Sequence, residues 1–188
     1  MPFGLGFFAT AGAGVAGSYD LLATQVLVSS AASVTFSSLS TYASTYKHLQ
    51  IRYTEFYTAD GFSSTMQFNA DTAANYSSHG LYGQGSSVSS AASTGATYML
   101  YNHFAIGHTS STNTRTVGVI DILDAFNTTS NKTIRSFGGQ VAPSTNLIFL
   151  HSGSWRNTAA LTQITLGVNG APQFAANSRF SLYGIKGA

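Results

Sequence analysis

Short runs of alternating apolar and polar residues recur along this sequence, and they constrain its fold more than any other feature. The clearest run ends the chain, at residues 178–186. There Phe180 and Leu182 are separated by the polar residue Ser181, which is the two-residue period of a β-strand. An apolar terminal strand left unpaired would be an aggregation-prone edge. We therefore expect this segment to pair inside a sheet, so that the chain closes its own β-structure.

Similar runs precede it, separated by residues that favour turns. They predict strands at Gln25–Val28, Ser33–Phe36, Lys47–Thr54, Ser64–Asn69, Thr97–Ile106, Arg115–Leu123, Thr133–Phe137, Asn146–His151 and Ala160–Val168. The consecutive apolar residues 147–150 are typical of a strand covered on both faces. Residues 83–95 are rich in Ser and low in complexity, which predicts a long surface loop. Asp60-Gly61 and Asn169-Gly170 are turn signals.

This succession of about nine or ten short strands, with no convincing helix, predicts an all-β fold of the β-sandwich type. A jelly roll is favoured by the length of 188 residues and by the absence of a Cys pair around the Trp. An immunoglobulin-like sandwich is the alternative. We expect residues 19–188 to form a jelly-roll-type β-sandwich domain, with an extended Gly/Ala-rich N-terminal arm at residues 1–18.

The N-terminal segment, residues 1–18, is apolar, rich in Gly and Ala, and free of charged side chains. A signal peptide would begin with basic residues, and a transmembrane helix needs about 20 apolar residues. We interpret the segment as an attachment arm that docks into a neighbouring groove, where glycine permits close backbone approach. The alternative is a loose start tucked onto its own domain. The arm residues expected to make contact are Phe3, Leu5, Phe7, Phe8 and Val15.

The low charge of the chain also bears on its partners. Charged residues make up 7% of the sequence, and the net charge of +2 comes without a basic run. Nucleic-acid binding is therefore not expected, because it needs a basic patch against the phosphates. Membrane binding is not expected either, because the arm lacks the basic residues that support it. A surface with few ions can be covered by a protein partner at a low desolvation cost.

No set of residues indicates catalysis, a cofactor or a metal. The carboxylates do not form a recognisable acid–base pair, and Asp121 and Asp124 are expected in hydrogen-bonding or interface roles. His103 and His108 could meet at a strand end and bind an ion on a threefold axis, although simple hydrogen-bonded histidines are favoured. The absence of Cys excludes disulfides and thiolate metal sites. We expect a non-enzymatic protein without catalytic, cofactor-binding or metal-binding residues.

One aromatic residue suggests a contact. Trp155, followed by Arg156 and Asn157, could stack on a sugar while its two neighbours supply hydrogen bonds. The alternative, which we favour, is an anchor in the core or in a subunit interface, since aromatic residues dominate both.

Six blocks carry a resemblance to a known family: Ser18–Leu27, Tyr42–Arg52, Ile120–Asp124, Asn131–Arg135, Ser152–Trp155 and Ser178–Lys186. They resemble a family of tailed-bacteriophage virion proteins, associated with phages of cyanobacteria and marine bacteria. The resemblance covers nearly the whole chain and includes the glycine-rich start. It implies a place on the surface of the phage particle and brings no catalytic motif.

The resemblance and the residues together give two expectations. The first is a capsid decoration (cement) protein, a homotrimer on the phage head whose arm lies against the major capsid protein. The second is a tail-fibre or tail-tip module among tail proteins, which would meet a host surface glycan through residues 83–97 and Trp155. The lack of a fibrous repeat argues against a long fibre.

Overall fold

The computed structural model describes residues 18–59, 62–105, 115–142 and 145–187, which form a two-layer β-sandwich. A single 3₁₀ turn, Leu39–Tyr42, is the only helical element of these ranges. The strands are β1 (Tyr19–Val26), β2 (Ser33–Phe36), β3 (His48–Glu55), β4 (Phe62–Phe68), β5 (Tyr76–Gln84), β6 (Ser87–Ala96), β7 (Met99–Ala105), β8 (Thr116–Leu123), β9 (Lys132–Ala142), β10 (Thr145–Trp155), β11 (Ile164–Val168) and β12 (Arg179–Ile185).

The strands divide unequally between two antiparallel sheets. The large sheet has eight strands in the order β1-β12-β3-β8-β9-β10-β5-β6, and the small sheet has four in the order β2-β11-β4-β7. The prediction of an all-β sandwich is therefore confirmed. The jelly roll in particular is not confirmed, and it stays a prediction. The turn predicted at Asp60-Gly61 and the arm of residues 1–17 lie outside the described residues.

The closing strand pairs as its sequence predicts. Strand β12 lies between β1 and β3, with Phe180 opposite Tyr53 and Leu182 opposite Ile51. Both Phe180 and Leu182 are buried. The C-terminal strand is thus an interior strand of the large sheet, and its apolar residues are hidden from water.

The core lies between the sheets and is built from the alternating residues of both. In β3, Leu49, Ile51 and Tyr53 point inward, and the same alternation carries Glu55 into the interior. The small sheet faces them with its own inward residues, Met66, Phe68, Ile164 and Leu166. The strands predicted at Lys47–Thr54, Ser64–Asn69 and Ala160–Val168 correspond to β3, β4 and β11.

The prediction of a long surface loop at residues 83–95 is wrong. Most of this stretch is β6, which forms a hairpin with β5 through a two-residue turn between Gln84 and Ser87. Gly85 begins this turn with a φ of 58°, a conformation that glycine adopts readily. A run of Ser and Ala shows no apolar period, yet its backbone forms the ladder, because ladder hydrogen bonds need no particular side chain.

The prediction that residues 146–151 are covered on both faces is also wrong. In β10, Leu147 and Phe149 are buried, whereas Ile148 is 55% and Leu150 is 45% exposed. The small sheet covers only the inner face of β10, and no element among the described residues covers the outer one. The outer face of β10 is therefore an apolar surface exposed to solvent.

Candidate interaction surface

The outer face of the large sheet carries a group of exposed apolar side chains. Strand register places them in two adjacent rows that cross β8, β9, β10, β5 and, in the second row, β6. The first row is Val119, Phe137, Leu150 and Leu81; the second is Val117, Gly139, Ile148, Gly83 and Val88. Residues in one row are direct cross-strand neighbours, so their side chains form a continuous surface.

We call the six large exposed side chains of these rows the apolar face: Leu81, Val88, Val117, Phe137, Ile148 and Leu150. Each is at least 45% exposed, and Val88 is 72% exposed. Single exposed apolar residues are ordinary on protein surfaces. A contiguous group is different, because large exposed apolar patches mark sites of interaction.

Glycines make the apolar face uneven, with protruding side chains beside open positions. Ile148 lies between Gly139 and Gly83 in its row, so it projects between two positions that have no side chain. A Cβ atom at Gly83 would lie 3.2 Å from Cγ2 of Ile148. Beside Ile148 is an open depression of about 540 Å³ whose lining includes Val117 and Phe137. A partner could insert apolar side chains into this depression.

A polar network borders the apolar face one row further along the strands. Asp121 accepts hydrogen bonds from Arg135 Nη2 and Gln50 Nε2, both at 2.7 Å. Arg52 Nε donates to Gln50 Oε1 at 3.0 Å, and its guanidinium lies 4.8 Å from the ring centre of Tyr183. An apolar centre with a polar rim is the usual anatomy of a protein–protein interface.

Trp155 lies in the core, not on the surface. It is 1% exposed, its ring stacks on Tyr76 and meets Phe68 edge-on, and its Nε1 donates to Asp71 Oδ2 at 2.7 Å. A sugar would need an exposed ring face. The glycan-contact hypothesis for Trp155 is therefore wrong, and the core anchor favoured from the sequence agrees with its burial.

The two residues after Trp155 make contacts within the chain. Arg156 is exposed, but its guanidinium donates to Ser77 Oγ and to the carbonyl of Ala74, each at 2.6 Å. Asn157 Oδ1 accepts from the backbone N–H of Ala159 at 2.9 Å. A partner contact through Arg156 or Asn157 stays a prediction. The arm residues Phe3, Leu5, Phe7, Phe8 and Val15 lie outside the described residues, as does His108.

A buried acidic cluster bridges the two sheets. The carboxylate of Glu55 accepts hydrogen bonds from the hydroxyls of Tyr57 and Tyr101 and, at 3.2 Å, from Ser64 Oγ. Burial raises the pKa of Glu55 to about 7, although these hydrogen bonds act in the opposite direction. Glu55 is fully buried, so a substrate in solution has no access to it. Its carboxyl can hold or release a proton near neutral pH within the interior.

The described residues offer few other features that a site could use. Among residues 18–59, 62–105, 115–142 and 145–187, no group of three or more His, Asp or Glu could hold a metal ion. No helix in these same ranges has the length and apolarity to cross a membrane. Comparison with known proteins finds no matching family model, no matching curated protein and no matching solved structure.

The apolar face was missed from the sequence for an identifiable reason. Phe137, Ile148 and Leu150 are apolar residues in strands, and the sequence alone assigns such residues to a core. Their exposure follows from the absence of a second layer over them, which is a property of the tertiary arrangement. The sequence signal that could have raised the question is the pair Gly138-Gly139 beside Phe137, since glycine inside a strand often marks close approach of another group.

Proposed function

We propose that this protein is a non-enzymatic structural protein of a phage particle, which binds a neighbouring virion protein through the apolar face. The observation that carries the proposal is this continuous apolar surface with its polar rim. The low charge of the chain supports it, because the partner would displace few hydrated ions. The proposed place in a virion rests on the sequence resemblance to tailed-phage virion proteins.

Within the particle, we propose a capsid decoration protein that forms a homotrimer and adds a second contact through the arm of residues 1–18. The arm is apolar and uncharged, so it suits a groove in the shell. Each apolar side chain that is buried would contribute about 1.5–3 kcal/mol before the entropy of ordering is subtracted. Several such contacts are enough to hold a small protein on a capsid lattice.

The test is binding of the purified protein to undecorated phage heads. The double variant Phe137→Ser/Ile148→Ser removes two apolar side chains from the face, and we expect its affinity to fall by roughly tenfold or more per side chain. The matched control is Thr133→Ala, an exposed residue on the same strand as Phe137, which should bind like the wild type. Full occupancy by the double variant would show that the apolar face is not the contact.

A second binding experiment separates the arm from the face. Removal of residues 2–17 leaves all twelve strands in the chain, because β1 begins at Tyr19. We expect a soluble protein that no longer loads onto heads. If the truncated protein decorates heads fully, the arm is not an anchor.

A tail-tip protein that meets host polysaccharide is the second candidate, and one observation favours it. Tyr19 is 44% exposed on the outer face of the large sheet, next to Tyr183 and below the guanidinium of Arg52. Exposed tyrosines with polar neighbours suit sugar recognition, because the ring offers both an apolar face and a hydroxyl. Loss of glycan-array binding in Tyr19→Ala would support this role, and antibody labelling of heads instead of tails would exclude it.

A further inference from the structure

Strand β6 forms one edge of the large sheet, and β5 is the only described strand that pairs with it. The hairpin with β5 closes at the pair Gln84 and Ser87. In an antiparallel ladder, alternate residues direct their N–H and C=O groups toward and away from the neighbouring strand. Counting from the closing pair, the backbone groups of Val88, Ser90 and Ala92 point away from β5. These groups can form a second ladder.

The side chains of β6 would not obstruct such a ladder. The strand reads Ser-Val-Ser-Ser-Ala-Ala-Ser-Thr-Gly-Ala, and no residue in it is buried. It has no charged residue and no Pro, and the whole stretch from residue 72 to residue 114 lacks Asp, Glu, Lys and Arg. Charged residues and Pro are the usual means by which proteins prevent edge-to-edge pairing. In β6 both are absent.

The other three sheet edges of the described chain carry features that limit pairing. Strand β1 has a register shift between Leu21 and Ala23 and a charged residue, Asp20, whose carboxylate pairs with Lys186 at 2.9 Å. Strand β2 is only four residues long. Strand β7 has two register shifts against β4. The contrast identifies β6 as the edge left available for pairing.

We propose that β6 pairs antiparallel with β6 of a second copy of this chain about a twofold axis, which joins two large sheets into one continuous sheet. A second copy fits because antiparallel pairing of identical strands is self-complementary. Small uncharged side chains meet on both faces, without the cost of like charges facing each other. Val88 lies on β6, so the contact also extends the apolar face from one copy toward the next. This contact between copies does not depend on the virion assignment.

The first test uses the absence of Cys from the chain. When β6 pairs antiparallel with its copy about a twofold axis, one residue of the strand faces the same residue of the copy. Single Cys variants at Ser89, Ser90, Ala91 and Ala92 test four residues for this central position. Paired strands place facing Cβ atoms about 4.5–5.5 Å apart, close to disulfide geometry. We expect at least one variant to form a covalent dimer under mild oxidation, whereas the control Val26→Cys on β1 stays monomeric on a non-reducing gel. No dimer from any of the four would overturn the proposal.

The second test measures mass in solution by analytical ultracentrifugation. Ser90→Pro removes an N–H group that points away from β5, so it blocks the new ladder and keeps the hairpin ladder. We expect the wild type to contain an even number of copies, which is two from this contact alone and six when the proposed homotrimer also forms. Ser90→Pro should have half the wild-type mass, while Ser90→Thr behaves like the wild type. A folded Ser90→Pro variant with unchanged mass would contradict the proposal. If that variant does not fold, the Cys variants decide.

Discussion

Glu55 is the residue whose protonation depends most directly on the fold. It is the last residue of β3, and its side chain is buried between the sheets. Its carboxylate accepts hydrogen bonds from Tyr57, which follows β3, and from Ser64 and Tyr101 of the small sheet. The pKa of Tyr57 and Tyr101 is raised, first by burial and then by the nearby carboxylate. The cluster therefore stores a proton between the sheets near neutral pH.

This burial predicts a pH dependence of stability. The folded pKa of about 7 lies above the ordinary value of 4.5, so the protonated carboxyl is favoured by folding. The contribution is fully present below about pH 4.5 and is lost as the pH rises through 7. The difference between the two pKa values corresponds to a loss of about 3 kcal/mol in free energy of unfolding across this pH range. Urea denaturation between pH 5 and pH 8.5 should show this loss in the wild type.

The control for that measurement is Glu55→Gln, which keeps the shape of the side chain and cannot ionise. We expect the variant to be less dependent on pH than the wild type and more stable than it at pH 8.5. Other titrating groups are common to both proteins, so the difference between the two curves isolates Glu55. Parallel curves for the two proteins would contradict the assignment.

Trp155 gives a second prediction at the residue scale. It is the single Trp of the chain, so its fluorescence reports one environment. We expect iodide to quench the folded protein much less than the urea-unfolded protein, because the indole is buried against Tyr76 and Phe68. Equal quenching of both states would place the ring at the surface and restore the sugar-stacking hypothesis.

At the scale of elements, the last strand, β12, pairs with the first strand, β1. It separates β1 from β3 and pairs with both, so its removal exposes two strand edges and the apolar residues Phe180 and Leu182. We expect truncation after residue 177 to prevent cooperative folding. Truncation of residues 187–188 alone should leave thermal unfolding nearly unchanged. A cooperative unfolding transition in the shorter protein would show that β12 is dispensable.

The strands also show which parts of the fold the sequence could predict. Alternation located β3, β4, β11 and β12, because one side of each strand is mainly apolar and the other mainly polar. It failed for β6, where Ser and Ala give no period, and for β10, where apolar residues occupy both faces. For the apolar face, the sequence could predict only that Phe137 and Ile148 are apolar residues in strands. Whether a second layer covers them is decided by the sheet sizes, eight strands against four.

At the scale of the whole molecule, the unequal sheets explain where the surfaces lie. A four-stranded sheet covers part of the inner face of an eight-stranded one, and residues 87–90 of β6 extend beyond it with both faces exposed. The outer face of β8, β9, β10 and β5 has no cover among the described residues. The apolar face and the β6 edge are thus adjacent surfaces of the same sheet, which suits a protein that works in an assembly.

The apolar face is also predicted to be separable from stability. Phe137 and Ile148 are 50% and 55% exposed, so their replacement by Ser removes little that folding buries. We expect the double variant to lose no more than about 1 kcal/mol in free energy of unfolding, measured by urea denaturation. A much larger loss would mean that these side chains serve the fold and not a partner.

The most direct test of the central claim is a cryo-electron microscopy map of the phage particle that we propose contains this protein, with the sandwich fitted as a rigid body. The proposal predicts that density from a neighbouring protein covers Phe137, Ile148 and Leu150. A map in which the outer face of β9 and β10 lies open to solvent, with the protein held through other surfaces, would contradict it.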